Sequence, residues 1–407
     1  MEQSLAPARL PSIDFNAELR GDDLIDTALE TIRTHLGMRV AYLSRFDGQS
    51  TVFRNVSAPG LEELIKPNDR MRLAEMYCPH INAGRLPNLI VDTRAATICQ
   101  KLDITHRTPI GSHVSLPILQ EDGTVYGMMC CLSPEPHPTL NERDLSVMAS
   151  FATLVTRQVR LEQRARAEAN LLRKEIADLL KNTEVLAVFQ PIVQLSDGAL
   201  IGMEALTRFR SDAFGSAEAM FQQAENVGLG LDLELLTLGN ALRAYEACDP
   251  AAYLAINASP ALICDPRFRS ILPKEGLHRL VIEITEHGTV EDESILRTQI
   301  AQLQAAKARI AIDDFGTGHS NLMRLSSLSP DIIKIDRSLV ADLADRPAQA
   351  AVISAIVHFA DKVGCKVLGE GVETEQIAQA LQDLGVQLAQ GWYYGKPAPL
   401  IRAKATA

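Results

Sequence analysis

The stretch RIAIDDFGTGHSNL (residues 309–322) ends an apolar run on two adjacent aspartates and then turns through two glycines. An apolar run of this length is typical of a buried strand, and closely spaced glycines are typical of the turn that follows one. Asp313 and Asp314 therefore place two carboxylates at the tip of a predicted strand. If neighbouring strands also end on polar residues, these side chains form a site at one edge of the sheet.

Further apolar segments accompany this one from Val188 onward, and helical patterns separate several of them. Alternation of short strands with helices predicts an α/β fold, a TIM-like (β/α)8 barrel. The segments are, in chain order, FQPIVQL, LIGMEALTRF, YLAINAS, LVIEITE, RIAIDDFG, IIKIDRSL, KVLGEGVE and LAQGWYYGKP.

Most of these segments carry an acid or an amide at or near their ends. In a barrel of parallel strands those ends converge on one mouth, which is where sites of this fold lie. Crowded carboxylates take up protons unless cations are bound, and an oxygen-only set without Cys or His indicates Mg²⁺ or Mn²⁺ over zinc. The predicted site residues are Glu204, Asn257, Glu283, Asp313, Asp314, Asp336 and Glu370.

Alternation along the strands supports the same prediction, because residues i and i+2 share a face. Glu204, Leu206 and Arg208 share one predicted face, and Lys334 shares a face with Asp336. A single acid at a strand end is usually a turn or cap residue, and DDFGTG or GEGVET alone is compatible with a simple turn. The joint pattern favours a metal-bearing active site.

The first half of the chain has a different pattern. DDLIDTALETIRTHLG predicts a one-faced helix, and two pairs of β-rich segments around DGQS and EDG predict two hairpins, so an antiparallel sheet flanked by helices is expected. A helix without Gly or Pro follows, with room for more than forty residues. Its later part has a weak heptad seam, which predicts either a coiled-coil dimer stalk or a solvated connecting helix. The seam residues are Ala165, Ala169, Leu172, Ile176 and Leu179.

Composition excludes several classes of protein. A formal net charge of −11 argues against a broad basic surface for nucleic acid polymers. The N-terminus lacks a signal-peptide core and no run of about 18 apolar residues occurs, so we expect a cytoplasmic protein without a membrane partner. The 7 cysteines are scattered without CxxC spacing and are expected to be reduced thiols.

The first half resembles a GAF domain, a small sensory α+β module, through GRLPNLIVDT (84–93), SLPILQEDGTVYGMMCCLS (115–133) and TLNERDLSVMASFA (139–152). The resemblance implies a small ligand, but the residues do not identify one. His80, His113 and Cys99 are compatible with haem, with a covalent tetrapyrrole or with purely structural roles. The pocket is equally compatible with a role in dimerisation alone.

The second half resembles an EAL domain, the bacterial phosphodiesterase specific for cyclic diguanylate. The domain limits expected from both resemblances are a tail at 1–19, a GAF domain at 20–162, a linker at 163–184 and an EAL domain at 185–400. The motifs that carry the resemblance are FQPIV (189–193), EAL (204–206), INAS (256–259), EITE (283–286), DDFGTG (313–318), KIDRSLV (334–340), GEGVET (369–374) and QGWYYGKP (390–397).

This resemblance implies roles for individual residues. Lys334, Glu370 and Glu204 are implied to be catalytic, with Lys334 beside the attacking water, and Glu286 is implied to anchor the DDFGTGHSNL loop. The implied ligands of two Mg²⁺ or Mn²⁺ ions are Glu204, Asn257, Glu283, Asp313, Asp314, Asp336 and Glu370. The implied substrate contacts are Arg208, Leu206, Gln190, Gln390 and Pro397. HSNL, where YSSL is commoner in the family, removes no ligand.

The resemblance implies metal-dependent hydrolysis of cyclic di-GMP to linear 5′-pGpG, regulated by the GAF domain, in a homodimer. Two alternatives are a receptor that binds cyclic di-GMP without cutting it and signals to a protein partner, and an enzyme held inactive until the GAF domain receives its signal. The full set of implied ligands favours an enzyme.

Overall fold

The computed structural model describes residues 21–181, 185–210, 215–246, 252–285, 293–315, 328–343 and 346–400. The chain divides into two units, Met1–Glu168 and Ala169–Ala407. Along the described residues, no helix combines the length and the apolar character needed to cross a bilayer.

The first unit is built on a six-stranded antiparallel sheet with the strand order β3-β2-β1-β6-β5-β4. The long helix α5 begins in this unit and continues into the second one. The elements are α1 (Gly21–His35), β1 (Val40–Asp47), β2 (Ser50–Ser57), β3 (Arg70–Arg72), α2 (Cys78–Asn82), β4 (Leu89–Ile90), α3 (Thr97–Gln100), α4 (Asp103–Arg107), β5 (Ser112–Leu119), β6 (Val125–Ser133) and α5 (Glu142–Lys181).

Both faces of this sheet are buried. Leu43 of β1 packs in a cluster with Leu29 of α1 and Val155 of α5. The preceding residue, Tyr42, lies in a second cluster that contains Met128 of β6 and side chains of α2 and α4. Because successive strand residues point to opposite faces, one strand supplies both cores. The α+β architecture, the opening helix and both hairpins expected from the sequence are confirmed.

Helix α5 runs without interruption for 40 residues, which confirms one long helix, although a length above forty residues is not reached. Asn141 caps its N-terminus, because its Oδ1 accepts a hydrogen bond from the Arg143 amide at 3.0 Å. The predicted coiled-coil dimer surface is wrong for the last turns of this helix. Ile176 and Leu179 are buried in a cluster with side chains of the second unit's own helices.

The second unit is a closed eight-stranded barrel with the strand order β7-β8-β9-β10-β11-β12-β13-β14. Helices follow most of the strands, as expected for the (β/α)8 class. The elements are β7 (Val185–Gln194), β8 (Leu200–Phe209), α6 (Ala217–Asn226), α7 (Gly230–Tyr245), β9 (Tyr253–Asn257), α8 (Pro260–Cys264), α9 (Pro266–Ile271), β10 (Leu280–Thr285), α10 (Glu293–Ala305), β11 (Arg309–Phe315), β12 (Ile332–Ile335), α11 (Arg337–Val340), α12 (Pro347–Val363), β13 (Lys366–Gly369), α13 (Glu375–Asp383) and β14 (Leu388–Gln390).

One strand departs from the expected parallel arrangement. Strand β7 runs antiparallel to both of its neighbours, β8 and β14. The cause is local, since a short turn, in which the Gly198 amide donates to Gln194 O at 2.9 Å, joins β7 directly to β8 as a hairpin. A parallel neighbour would need a long crossover connection. The expectation of an all-parallel barrel is therefore wrong for β7.

The barrel interior is filled rather than open. Strand residues that point outward, such as Ile333 and Ile335, pack in the large cluster beneath the surrounding helices. The inward-pointing apolar residues form a separate cluster that closes the inside below the mouth. These residues are Ile192, Tyr253, Ala255, Val281, Ala311, Ile332, Leu368 and Leu388.

Candidate active site

Each barrel strand contributes one polar side chain, from within the strand or directly after its last residue, to the level above the apolar floor. Because alternate residues of a strand point to the same face, each polar side chain lies two residues from an apolar residue of the floor. Lys334 is two residues beyond Ile332, for example, and Gln390 is two beyond Leu388. Strand β7 takes part despite its direction, because Gln190 lies directly opposite Glu204 in the β7–β8 ladder. This layer, which we call the polar layer, comprises Gln190, Glu204, Asn257, Glu283, Asp313, Lys334, Glu370 and Gln390.

Lys334 lies at the centre of the polar layer, with only 1% of its surface exposed. Its Nζ lies 2.8 Å from Glu283 Oε2, 2.8 Å from Glu370 Oε1 and 3.0 Å from Asp313 Oδ1. Glu204 Oε1 is the fourth carboxylate partner, at 3.7 Å. Burial by itself lowers the pKa of Lys334, but these four carboxylates outweigh it and raise the pKa well above its ordinary value. The side chain is therefore a buried cation.

Glu204 is oriented by amide groups from two other strands, β9 and β14. Asn257 Nδ2 donates to Glu204 Oε1 at 3.0 Å, and Gln390 Nε2 donates to Glu204 Oε2. Gln390 Nε2 also donates to Gln190 Oε1 at 3.1 Å, while Gln190 Nε2 donates to Gly395 O at 3.0 Å. Burial raises the pKa of Glu204, but the charge of Lys334 and the amide hydrogen bonds lower it further than burial raises it. Glu204 therefore stays a carboxylate.

Glu283 and Glu370 differ from Glu204, because their pKa values are raised and not lowered. Burial raises the pKa of Glu370 to about 8, with a further contribution from the charges of Asp313 and Glu204. Burial also raises the pKa of Glu283 well above its ordinary value. Four carboxylates around one ammonium leave a formal excess of three negative charges. Protons or bound cations must offset that excess.

The adjacent residues Asp313 and Asp314 both come close to Glu370 because the backbone of β11 is irregular there. The pairing of β11 with β12 shifts register between Ile312 and Phe315, and Asp314 has a φ of 56°. Such left-handed backbone is uncommon outside glycine and clusters at functional sites. Ligand oxygens of Asp313, Asp314 and Glu370 lie within 4.8 Å of one another. An oxygen-only donor set of this kind fits a hard divalent cation such as Mg²⁺ or Mn²⁺.

The remaining predicted residues lie around this centre with different contacts. Asp336 Oδ1 accepts a hydrogen bond from the Ser338 amide at 2.9 Å, so it caps α11 and does not join the group of three carboxylates. Arg208 is exposed at the end of β8, and its Nη1 donates to Thr207 O at 2.8 Å. Leu206 and Pro397 are half-buried. Glu286 and residues 316–322 of the predicted loop lie outside the described residues.

The sequence analysis missed a surface feature beside the site. Trp392, two residues beyond the end of β14, is 55% exposed. Lys396 Nζ lies 4.6 Å from the centre of its ring, and the Arg337 guanidinium lies 5.9 Å from it. The signal available in the sequence was the position of the chain's only tryptophan next to Gln390.

The turn after β13 also depends on one residue type. Gly371 has a φ of 67°, and a Cβ at this position would lie 2.4 Å from Arg337 Cγ. Only glycine fits such a backbone and such a close contact. Gly371 thus lets the chain turn directly after Glu370, which keeps that carboxylate at the level of Lys334.

The fold and the polar layer define an α/β-barrel protein with an acidic, cation-compatible site at the barrel mouth. The chain belongs to the EAL domain family, which matches residues 173–397, and residues 20–158 match the GAF domain family.

Two relatives and one solved structure each match a little over half of this chain. A Mycobacterium tuberculosis protein of uncharacterised function is 32% identical over 238 residues, which cover 54% of this chain and 78% of that protein. The probable cyclic di-GMP phosphodiesterase PdeI of Escherichia coli is 33% identical over 242 residues, which cover 56% of this chain and 31% of PdeI. The structure of the PaMucR phosphodiesterase in complex with c-di-GMP matches with a TM-score of 0.51 at 30% identity, over 56% of this chain and 98% of its own.

Proposed function

We propose that this protein hydrolyses cyclic di-GMP to linear 5′-pGpG with divalent cations. The observation that carries the proposal is the polar layer, in which four carboxylates surround Lys334 at the barrel mouth. The similarity to PdeI and to the PaMucR phosphodiesterase, whose names specify this substrate, supports the choice of substrate.

The residues proposed to hold two Mg²⁺ or Mn²⁺ ions are those of the acidic cluster. A divalent cation bound there supplies Lewis acidity that favours water as a nucleophile and offsets negative charge on the phosphoryl oxygens. Asp336, which caps α11, is the proposed ligand least supported by its contacts. The full proposed set is Glu204, Asn257, Glu283, Asp313, Asp314, Asp336 and Glu370.

The chain's own residues act by position and charge. Lys334 holds three carboxylates within 3.0 Å of its Nζ, and it either orients the attacking water or protonates the leaving 3′ oxygen. Glu204 is fixed by the amides of Asn257 and Gln390, so its oxygens keep one orientation. The apolar floor of the barrel keeps bulk water away from the layer from below.

Substrate recognition is proposed for residues at the rim. Arg208 is exposed at the end of β8, where its guanidinium can meet a phosphate oxygen of a ligand in the mouth. Gln390 Oε1 is buried without a hydrogen-bond partner within the described part of the chain, so it offers an acceptor near Glu204. Leu206, Gln190 and Pro397 are proposed as the further substrate contacts.

Turnover tests the proposal directly. Purified full-length protein is incubated with cyclic di-GMP and Mg²⁺ or Mn²⁺, with and without chelator, and the linear product is followed by chromatography. We expect product only with metal. Binding of cyclic di-GMP without product would instead support a receptor, or an enzyme that requires a signal at its GAF domain.

Regulation by the GAF domain and assembly as a homodimer are further parts of the proposal. Helix α5 supports the regulatory part, because it belongs to the sheet core of the first unit through Val155 and to the second unit through Ile176. A shortened chain without residues 1–165 should change in rate or in oligomeric state, as measured by turnover and light scattering. Unchanged values for both would refute GAF control. The cytoplasmic location and the domain limits at 20–162, 163–184 and 185–400 stay predictions.

A further inference from the structure

A cavity of about 210 Å³ lies in the first unit between helix α5, strands β1 and β2, and the β5–β6 hairpin. Val159 of α5 places it on the side of the sheet that α1 and α5 cover. Among the described residues, three arginines and one carboxylate line it, in a chain whose formal net charge is −11. The walls of this space, which we call the arginine cavity, include Arg45, Phe46, Arg54, Val125, Glu162 and Arg166.

One of the three arginines is already neutralised by carboxylates. Arg54 Nη2 lies 2.8 Å from Asp22 Oδ1 and 2.6 Å from Glu162 Oε2, and the Arg54 side chain is 20% exposed. One guanidinium and two carboxylates leave a single formal negative charge in this group. Arg54 therefore forms a fixed part of the wall and adds no net positive charge to the cavity.

The other two arginines differ from Arg54. Arg45 and Arg166 are exposed, and within the described ranges neither side chain makes a hydrogen bond or an ion pair. The hydrogen bond from Arg54 lowers the pKa of Asp22, and the charge of Arg166 adds to this lowering, so Arg166 lies near the Arg54 group. Two positive charges against the one negative charge of that group make the cavity attractive to an anion.

Hydrogen bonds between the β5–β6 turn and α5 hold the walls in place. Arg160 Nε donates to Leu119 O at 3.0 Å, and its Nη2 donates to Gln120 O at 2.8 Å. Gln163 Nε2 donates to Gln120 Oε1 at 3.0 Å. Arg166 follows Gln163 by three residues and so lies on the same face of the helix. The cavity is therefore preformed, which lowers the entropic cost of filling it.

Size and chemistry limit what the cavity can hold. The fork of an arginine guanidinium matches the oxygens of a carboxylate or a phosphate. The volume exceeds the cavity of about 150 Å³ that holds benzene and falls below the roughly 300 Å³ of the smallest pockets for drug-sized ligands. Phe46 and Val125 supply apolar wall beside the charged side chains. A single ring with one charged group satisfies these limits.

We propose that the arginine cavity binds a small organic oxyanion, a carboxylate or a phosphate monoester on a compact apolar body. Its charged group contacts Arg45 and Arg166, and its apolar part packs against Phe46 and Val125. A ligand held by both arginines joins β1 to α5 two residues before the first unit ends at Glu168. The site is separate from the proposed phosphodiesterase site, so its occupancy is measured without turnover.

Phenyl phosphate, benzoate and inorganic phosphate are the probes, because the first two share a ring and the third lacks one. Titration calorimetry uses the full-length protein with chelator, since the metal-free polar layer keeps its excess negative charge and repels anions. Both ring-bearing anions should bind, and the tighter one identifies the preferred charged group. Inorganic phosphate should bind at least about tenfold more weakly than phenyl phosphate, because it buries no ring. Absence of binding by both ring-bearing anions, or equal binding of inorganic phosphate, would overturn the proposal.

Variants locate the ligand. Arg45→Gln and Arg166→Gln should each weaken binding about tenfold, since a charge-assisted hydrogen bond is lost, and both positions are exposed, so the fold is kept. Arg157→Gln is the matched control, because Arg157 is an exposed arginine of α5 that does not line the cavity; it should leave the affinity unchanged. Native affinity in both cavity variants, or an equal loss in Arg157→Gln, contradicts the assignment. A loss confined to Arg208→Gln would place the anion at the barrel mouth and would likewise refute it.

Discussion

Replacing Lys334 with methionine tests whether one buried cation holds the polar layer together. The substitution keeps the length and the apolar part of the side chain but removes the ammonium. In the native chain that ammonium contacts Glu283, Glu370 and Asp313 at 2.8–3.0 Å and is 1% exposed. Without it, the surrounding carboxylates lie buried with no positive partner among the described residues.

The expected loss follows from those contacts. Removing one partner of a buried ion pair costs about 3–5 kcal/mol of the free energy of unfolding. For a domain of this size the melting temperature should fall by roughly 6–20 °C. Protonation limits the loss, because Glu370, with a pKa of about 8, and Glu283 take up protons more readily than ordinary carboxylates.

The sign of the pH dependence follows from those raised pKa values. A carboxyl whose pKa is higher in the folded than in the unfolded chain stabilises the fold at low pH, and that stability is lost as pH rises through the folded pKa. Both shifts increase when the ammonium is removed. The deficit of Lys334→Met should therefore be larger at about pH 8.5 than at about pH 5.5, and excess Mg²⁺ or Mn²⁺ should recover part of it.

Tryptophan fluorescence during urea unfolding measures this effect in the barrel alone, because Trp392 is the only tryptophan of the chain. The matched control is Lys366→Met, an exposed lysine on the neighbouring strand β13, which should change stability by no more than about 0.5 kcal/mol. If Lys334→Met unfolds within about 1 kcal/mol of the native chain at about pH 8.5, the reasoning is refuted.

Three further predictions follow from individual contacts. Glu204→Gln should lower cyclic di-GMP turnover at least about a hundredfold while the fold is kept. The control is Glu373→Gln at the rim, which should leave turnover unchanged. Comparable rates in the two variants would contradict a role for the Glu204 charge. Because His113 has a folded pKa of about 4 against an ordinary 6.5, it stabilises the first unit fully above pH 6.5 and loses this contribution as pH falls towards 4. Acid unfolding followed by circular dichroism should show a loss of about 3 kcal/mol across this interval, and an equally steep loss in His113→Phe would assign it to other groups. Asn141→Ala should destabilise the first unit by about 1 kcal/mol in thermal unfolding, because it removes the cap of α5, and a cost near zero would show that the cap is dispensable.

Much of the fold was predictable because its signals are local. Alternation with a period of two identified a polar face on two of the strands, so Glu204 and Lys334 were expected to face the interior. The uninterrupted helical pattern predicted that α5 is one long helix. The direction of β7 was not predicted, because the pattern of an apolar segment is the same for a parallel and an antiparallel strand. Only the pairing of β7 with β8 and β14 reveals its direction.

The candidate site was predictable in its residue types but not in its contacts. The acids at the strand ends indicated a crowded centre, and the structure shows that Lys334 contacts Glu283 directly. The cap made by Asp336 was missed, since a strand-end acid serves equally well as a ligand or as a helix cap. The register shift at β11 was missed as well, because it depends on how β11 and β12 pair.

By itself, the sequence determined that Glu204 and Lys334 face inward, which segments form most of the strands and helices, and that the barrel mouth is rich in oxygen ligands. Tertiary structure alone decided which carboxylates share one cation, how Gln390 and Asn257 orient Glu204, and how Asp314 comes close to Glu370. The physical reason is the distance along the chain between the residues that interact. Strand and helix periodicity is set by residues a few positions apart, whereas the charge balance of the polar layer is set by side chains from eight strands that meet only when the barrel closes.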